Sequence, residues 1–361
     1  MALSVRVIDT GVREGRANIA FDAALAELHG EGRIRDTLRF LRFRPTALVG
    51  RHQSVPREIN LAHCRASGIG VARRITGGGA IFFDEGQLGW ELVVSRRRFA
   101  IAGLADMTAR ICSGAAEGLS RALGIEARFR PRNDIEVGGR KLSGTGGFFD
   151  GDTLFFQGTV LIDVAPAKVM AALNVPKAKL EKRALDRAEH RIVTLAELLG
   201  HTPAVGEVQR AIRDGLAAAL DLELADDAIS VEEEARAAAI LTEEIGTDAF
   251  VHGLDADKAG GSTCEASRTG PGGTITVGVR LDGTGEGARL RDVLITGDFF
   301  VAPPRLVMDL EAALKGAPSA EAGQAARAFL TETPHEALSV AIDDFRAVIE
   351  AAVAAALVAP G

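Results

Sequence analysis

Lys141 is the residue that most invites a chemical reading. The chain holds seven lysines against thirty-five arginines, and Lys141 is the only lysine among the first 167 residues, directly after Arg140. A sequence that uses arginine almost everywhere has a reason for an ammonium at one point. A compact, hydrated point charge holds a single reacting oxygen where a planar guanidinium fork does not. A second cluster, Arg73-Arg74-Ile75-Thr76-Gly77-Gly78-Gly79, sets two guanidinium groups beside bare backbone. Glycine lets main-chain amides approach an anion, and arginine adds bidentate recognition of phosphate or carboxylate. It is not a Walker loop, because strand-like sequence flanks it on both sides and no Lys-Ser or Lys-Thr follows. The cysteines, Cys64, Cys112 and Cys264, are odd in number, scattered and without metal-ligand spacing, which fits reduced thiols. Lys168, Lys177, Lys179 and Lys182 crowd together and read as a solvated helical face.

The element that must position Lys141 is a hairpin: residues 133–137, a Gly138-Gly139 turn supplying positive φ, and residues 140–145. A regular two-residue turn pairs Val137 with Arg140, Glu136 with Lys141, Ile135 with Leu142 and Asp134 with Ser143. Asp134, Glu136, Lys141 and Ser143 then share a polar face. A solvated ion pair between Lys141 and Glu136 is the bland alternative. Around this hairpin, Phe21, Ala24, Leu25 and Leu28 mark an amphipathic helix, and residues 37–44, 69–75, 80–83, 88–94 and 154–163 read as strands. Leu104, Ile111, Ala115 and Leu119 mark a core helix, and further helices are expected over 165–173, 205–220 and 231–245. Glycine-rich, polar residues 253–273 suggest a boundary. Beyond it come a hairpin (274–281, 288–295) and helices over 305–314, 319–330 and 334–357. The expected class is α+β, with a catalytic unit at 1–253, a linker at 254–273 and a small α+β accessory unit at 274–361.

Composition narrows the function. With 361 residues, 47% apolar and 25% charged, and a mean hydropathy of +0.12, the chain is built to fold. A net charge of −7 and a pI near 5.6 give no global field for nucleic acid, so an anion site must be local. No run of about 18 apolar residues is present, and the first ten residues do not resemble a leader, so neither a membrane nor export is expected and the cytoplasm is the expected location.

Several motifs fall in a recognisable order: Val49-Gly50-Arg51-His52-Gln53, Glu58-Ile59-Asn60, Arg73 to Ile81, Asn133-Asp134-Ile135, Arg140-Lys141-Leu142-Ser143-Gly144 and Gln157-Gly158-Thr159. Over residues 1 to about 250 the chain resembles lipoate protein ligases. Gly272 to Val277, Ile295 to Phe300, and Leu310-Glu311 followed by Leu314-Lys315-Gly316 resemble that family's C-terminal accessory domain. The resemblance implies a biotin/lipoate ligase-like catalytic domain with mixed sheets and flanking helices. It implies activation of lipoate with ATP and Mg²⁺ to lipoyl-adenylate, then transfer to a lysine of a lipoyl carrier domain: a dehydrogenase E2, a glycine-cleavage H protein or a related lipoate-binding protein. Lys141 matches the catalytic lysine, a role that suits a cation facing charge at the α-phosphate and then at the carbonyl oxygen. Arg73, Arg74, Thr76, Gly77, Gly78 and Gly79 match the loop over acyl chain and adenylate. Asn133, Asp134, Ser143, Gly158 and Thr159 complete the implied substrate and ATP contacts, with Asp134 as the candidate Mg²⁺ ligand. Phe82, Phe83, Phe155 and Phe156 are candidates for an acyl tunnel. The chain departs from the family in having Phe83 before Asp84 and Gln157 before Gly158, where histidine is common.

Two other readings compete. An octanoyl or lipoyl transferase of related fold would run through a cysteine thioester, and no cysteine stands near the Lys141 hairpin in sequence, which ranks transfer below ligation and keeps a cysteine-independent or atypical transferase as the alternative. A non-catalytic carrier-binding scaffold would have no need of Lys141 in so lysine-poor a chain.

Overall fold

The computed structural model describes residues 3–100, 103–174, 191–255, 264–270, 272–338 and 340–358. Lys177, Lys179 and Lys182 lie outside the described residues.

The main sheet has eight strands in the order β11-β1-β2-β6-β10-β9-β8-β7. β1 (Leu3–Arg13) runs parallel to β2 (Thr37–Phe43) and to β11 (Leu222–Asp226). The remaining neighbours pair antiparallel: β6 (Gln87–Ser95), β10 (Thr153–Leu161), β9 (Arg140–Asp150), β8 (Asp134–Val137) and β7 (Ala127–Arg130). Every residue of β6 is buried, so both faces of the sheet must be covered. Pairing shows how. Glu91 of β6 stands opposite Gln157, which stands opposite Gly146, and this row faces α1 (Gly15–Gly30). The next row, Trp90, Gly158 and Thr145, points the other way, toward α4 (Leu104–Leu123) and the helix Val205–Leu220 packed on it. A small second sheet places β3 (Thr46–Val49) between β4 (Gly70–Arg73) and β5 (Ile81–Phe83) and buries its own apolar cluster.

The C-terminal unit has a separate core around Ile275, Val277, Phe299, Leu310 and Ile349. Its sheet is β12 (Cys264–Gly270), β13 (Gly273–Asp282) and β14 (Arg289–Gly297), beside a ribbon of β15 (Phe300–Ala302) and β16 (Glu336–Leu338). Two expectations need correction. Residues 264–270, inside the stretch read as a linker, are an edge strand whose half-exposed polar face mimics linker composition. Residues 334–338 and 340–341 do not extend the last helix. β16 pairs with β15, the Glu336 carboxylate accepts the first free N–H of α4 at Leu104 (2.7 Å), and the helix starts at Ile342.

Candidate active site

The two-glycine turn is present, with Gly138 and Gly139 at φ of 58° and 78°. The register beyond it differs from a regular hairpin. Val137 pairs with Arg140 and Glu136 with Lys141, but Ile135 then pairs with Ser143 and Asp134 with Gly144, so Leu142 is the extra residue of a bulge. A third segment accounts for the break. Lys141 N donates to Arg191 O (2.8 Å), Val193 N donates to Lys141 O (2.9 Å), and Arg140 reaches Ile192 O and Glu197. The first residues of β9 therefore pair on two sides. The bulge buries both Leu142 and Ser143 and brings Gly144 to the polar face instead. Ser143, expected beside Lys141, is turned into the interior, and its hydroxyl has no partner there.

Lys141 Nζ lies 2.7 Å from Asp134 Oδ1 and folds back over Gly144, where an added Cβ would stand 2.7 Å from Nζ. The partner of Lys141 is Asp134, not Glu136, which faces Arg130 at 3.5 Å. The other Asp134 oxygen accepts from Arg130. Burial pushes the Asp134 carboxyl up, but Lys141 and Arg130 outweigh it and hold the group below the usual carboxylate range. Asn133 is fixed by Thr145: its side chain donates to Thr145 O, and its carbonyl accepts from Thr145 N (2.8 Å) and Oγ1 (2.9 Å). Just before it, Arg132 adopts φ 93°, a conformation rare outside glycine.

These groups sit at one side of a cavity of about 380 Å³, within the size range of small-molecule sites. Of the residues expected at substrate, Lys141, Asn133, Asp134, Arg74, Gly77, Gly78, Gly79, Gly158 and Thr159 line it. Arg73, Thr76 and Ser143 do not. Arg73 is a buried strut: it donates to the carbonyls of Gly50, Arg51 and Gln53 on one side and of Phe250 and Val251 on the other. Burial lowers its pKa to about 10. With its donors spent on main chain, it is not an anion receptor. Thr76 acts one step back, its hydroxyl accepting from Gln157 Nε2 at 2.8 Å. Arg74 borders the cavity but clamps the glycine loop, donating to Gly77 O (3.1 Å) and Gly79 O (2.9 Å). Phe82 and Phe83 line the cavity, whereas Phe155 and Phe156 are core. No group of three or more His, Cys, Asp or Glu able to hold a metal occurs among the described residues, and Asp134, the expected Mg²⁺ ligand, is the carboxylate paired with Lys141 and Arg130.

Sequence reasoning missed the part supplied by the C-terminal unit. Gly272, Gly273, Asp298, Phe300 and Leu338 close one wall. Gly78 N donates to Phe299 O (3.1 Å), and added Cβ atoms on Gly78 and Gly146 would stand 2.5 and 2.3 Å from the Phe300 ring. Phe299 faces its own core and stacks on His52 at 5.1 Å, while burial, followed by Arg51 and Arg73, lowers that histidine to about 3 and keeps it neutral. The motif residues were visible, but nothing in one chain says which loop faces which. Also missed were Asp22 and Glu91, charged residues inside apolar stretches that border the cavity. Cys112, remote in sequence from Lys141, has its sulfur 3.3 Å from Thr145 Oγ1, directly behind the cavity wall. It is fully buried, and burial pushes its thiol up to about 12.

Residues 14–217 match the family model of the lipoyl protein ligase A/B catalytic domain. The octanoyltransferase LipM of Symbiobacterium thermophilum is 30% identical over 271 residues, covering 69% of this chain and 98% of that protein. The lipoate-protein ligase LplJ of Bacillus subtilis is 32% identical over 155 residues, covering 43% of this chain and 45% of its own. Among solved structures, LipL1 of P. falciparum in complex with lipoate superposes with a TM-score of 0.75 at 16% identity, over 96% of this chain and 99% of that one, which places both units in a known α+β arrangement. The matched segment carries the Lys141 hairpin, the glycine loop and the strands between them, and the chain belongs to the lipoyl protein ligase A/B family.

Proposed function

We propose that the protein joins a lipoate-type acid to a lysine of a lipoyl carrier domain, using ATP and passing through an acyl-adenylate. The observation that carries this reading is that the cavity holds a cation and no accessible thiolate. Lys141 Nζ stands in it beside Asp134, while the one cysteine near it, Cys112, is sealed behind Thr145 as a neutral thiol. Cys64 is buried, its sulfur facing Ala172 O at 3.7 Å, and Cys264 begins β12, at the end away from the Gly272–Gly273 turn that reaches the cavity. A thioester route needs an accessible thiolate, and these positions do not offer one.

In this mechanism the acid's carboxylate lies near Lys141, and the ammonium stabilises charge first as the carboxylate attacks the α-phosphate and pyrophosphate leaves, then on the carbonyl oxygen when the carrier amine attacks and AMP leaves. Asp134 positions the ammonium. The glycine loop, bare of side chains and held in shape by Arg74, lets the adenylate approach main chain closely, with Gly78 N already spent on Phe299 O. A divalent metal bound with the triphosphate would neutralise part of its charge, with Asp134 the carboxylate beside Lys141 that would help hold it.

A second reading has its own support: similarity to an octanoyltransferase over 98% of that relative's length. Intact-mass measurement of an apo carrier separates the two. Ligation requires ATP and free lipoate and releases AMP. Transfer proceeds without ATP from an octanoyl-carrier donor, and that outcome would overturn the proposal.

A further inference from the structure

Lys141 pairs with the farther of two carboxylates on its own face of the sheet. Glu136 stands directly opposite it in register, and residues so placed have Cβ atoms about 5 Å apart. Asp134 is one row along, opposite Gly144, a diagonal neighbour at about 7–8 Å. Yet Lys141 Nζ lies 2.7 Å from Asp134 Oδ1, having folded back over Gly144 to reach it. The choice matters, because Asp134 and Lys141 border the cavity and Glu136 does not. Elsewhere on the cavity wall, Asp22 of α1 and Glu91 of β6 share the buried Arg39 of β2, at 2.6 and 2.9 Å, so neither competes for the ammonium.

Arg130 accounts for the choice. It stands opposite Asp134 on β7, donates from Nη2 to Asp134 Oδ2 and brings Nη1 to 3.5 Å from Glu136 Oε2. Arg128, opposite Glu136 in register, is exposed and has no ion-pair partner among the described residues. One guanidinium fork therefore neutralises Glu136 and fixes the second oxygen of Asp134. Without that cation, Glu136 is an uncompensated anion at the shorter reach, on a side chain one methylene longer, facing an ammonium on a flexible stem. Partly exposed ion pairs are weak one by one, so the preference of Lys141 between two acids is easily tipped.

We infer that Arg130 is a positioning residue: it draws Glu136 away from Lys141 and so keeps the ammonium on the cavity wall beside Asp134, where the reacting carboxyl group lies. The inference rests on the reading of Lys141 as the cation that serves that carboxyl, and adds to it the group that holds Lys141 in place. An arginine on an edge strand has an ordinary use as well, since its charge discourages pairing with another chain. That use alone makes the loss of Arg130 silent in catalysis, and it gives Glu136 no part in the outcome.

Initial rates of pyrophosphate release by the full chain, over a range of lipoate at saturating ATP with Mg²⁺, test this in four proteins: unaltered, Arg130→Met, Glu136→Gln and the double variant. In Arg130→Met kcat should fall at least fivefold, with a smaller change in KM for lipoate, because the displaced charge acts mainly in the transition state. Glu136→Gln alone should stay within twofold. The double variant should return to within twofold of the unaltered protein, since a neutral amide does not capture an ammonium. A loss that Glu136→Gln fails to restore, in protein of native thermal stability, overturns the inference, as does turnover of Arg130→Met within twofold. Should Arg130→Met not fold, Arg130→Gln, which keeps a polar side chain at this partly exposed position, takes its place in the same comparison. If the unaltered protein releases no pyrophosphate, the ligase reading fails first; the four proteins are then compared in octanoyl transfer between carriers, where the same pattern upholds the positioning role and its absence refutes it.

Discussion

Gly144→Ala tests whether the lysine works through its position. The Gly144 backbone is outside the left-handed region, so alanine fits it without strain. The new methyl would stand 2.7 Å from Lys141 Nζ and 2.8 Å from Cε. Ordinary contact begins near 3.5 Å, so the ammonium must move by about 0.8 Å or swing out toward solvent. Either motion breaks the 2.7 Å contact with Asp134. A misplacement of about 1 Å costs on the order of 100-fold in rate, about 2.7 kcal/mol in barrier. Stability should hold within about 0.5 kcal/mol, because a partly exposed lysine moves freely and the loss of a glycine reduces unfolded-state entropy. Pyrophosphate release with lipoate and ATP reads the rate, and a thermal melt reads the fold. The same change made in a Lys141→Ala background should have little further effect, since it acts through the lysine. Turnover within twofold of the unaltered protein, about 0.4 kcal/mol, would refute the reasoning.

Lys141→Arg keeps the charge but broadens the head group over Gly144, and single-turnover assays should show at least a 100-fold loss. Replacing Cys64, Cys112 and Cys264 together by alanine or serine should leave ATP-dependent acylation within about threefold, and a hydroxylamine-labile acyl-enzyme in the unaltered protein would contradict this. Arg73→Met should destabilise the protein by about 3 kcal/mol or more in urea denaturation, because buried carbonyls on both sides of the strut lose their donor together. Burial of Glu311 in the C-terminal unit raises its pKa from 4.5 to about 7, with the Ile295 N–H partly opposing. The folded state then binds the extra proton, so the stability this group contributes is complete below about pH 4.5 and is lost as pH rises through 7. Relative to the unaltered protein, Glu311→Gln should gain about 1–3 kcal/mol between pH 5 and pH 8.5 in chemical denaturation, and a constant difference across that range would rule this out.

The hairpin and its turn were legible in the sequence because Gly138-Gly139 encodes a local geometry, and Lys141 because its rarity is a property of the chain itself. The bulge at Leu142 was not legible: its cause is a segment fifty residues away, Arg191 to Val193, competing for the same strand. Arg73 and Arg74 looked alike in sequence, yet one ties two loops together and the other braces the glycine loop, a difference that depends on where carbonyl groups from distant segments converge. Asp22, Arg39 and Glu91 did leave a trace, as charges embedded in apolar runs. Reading that trace required knowing that a helix and two strands bring them together.

The adjacent residues Phe299 and Phe300 belong to different interiors: the first ring is packed in the C-terminal core, and the second forms cavity wall against Gly78 and Gly146. The two units therefore cannot drift apart in sequence independently. A change in the C-terminal core that tilts Phe299 re-cuts the cavity through its neighbour, and a side chain gained at Gly146 must be answered by a smaller residue at 300, while Gly78, at φ 92°, is held to glycine by its backbone as well. Exchange of C-terminal units between relatives should succeed only where residue 300 and its two glycines travel as a set, which makes this seam an inherited lock on how such chains can be recombined.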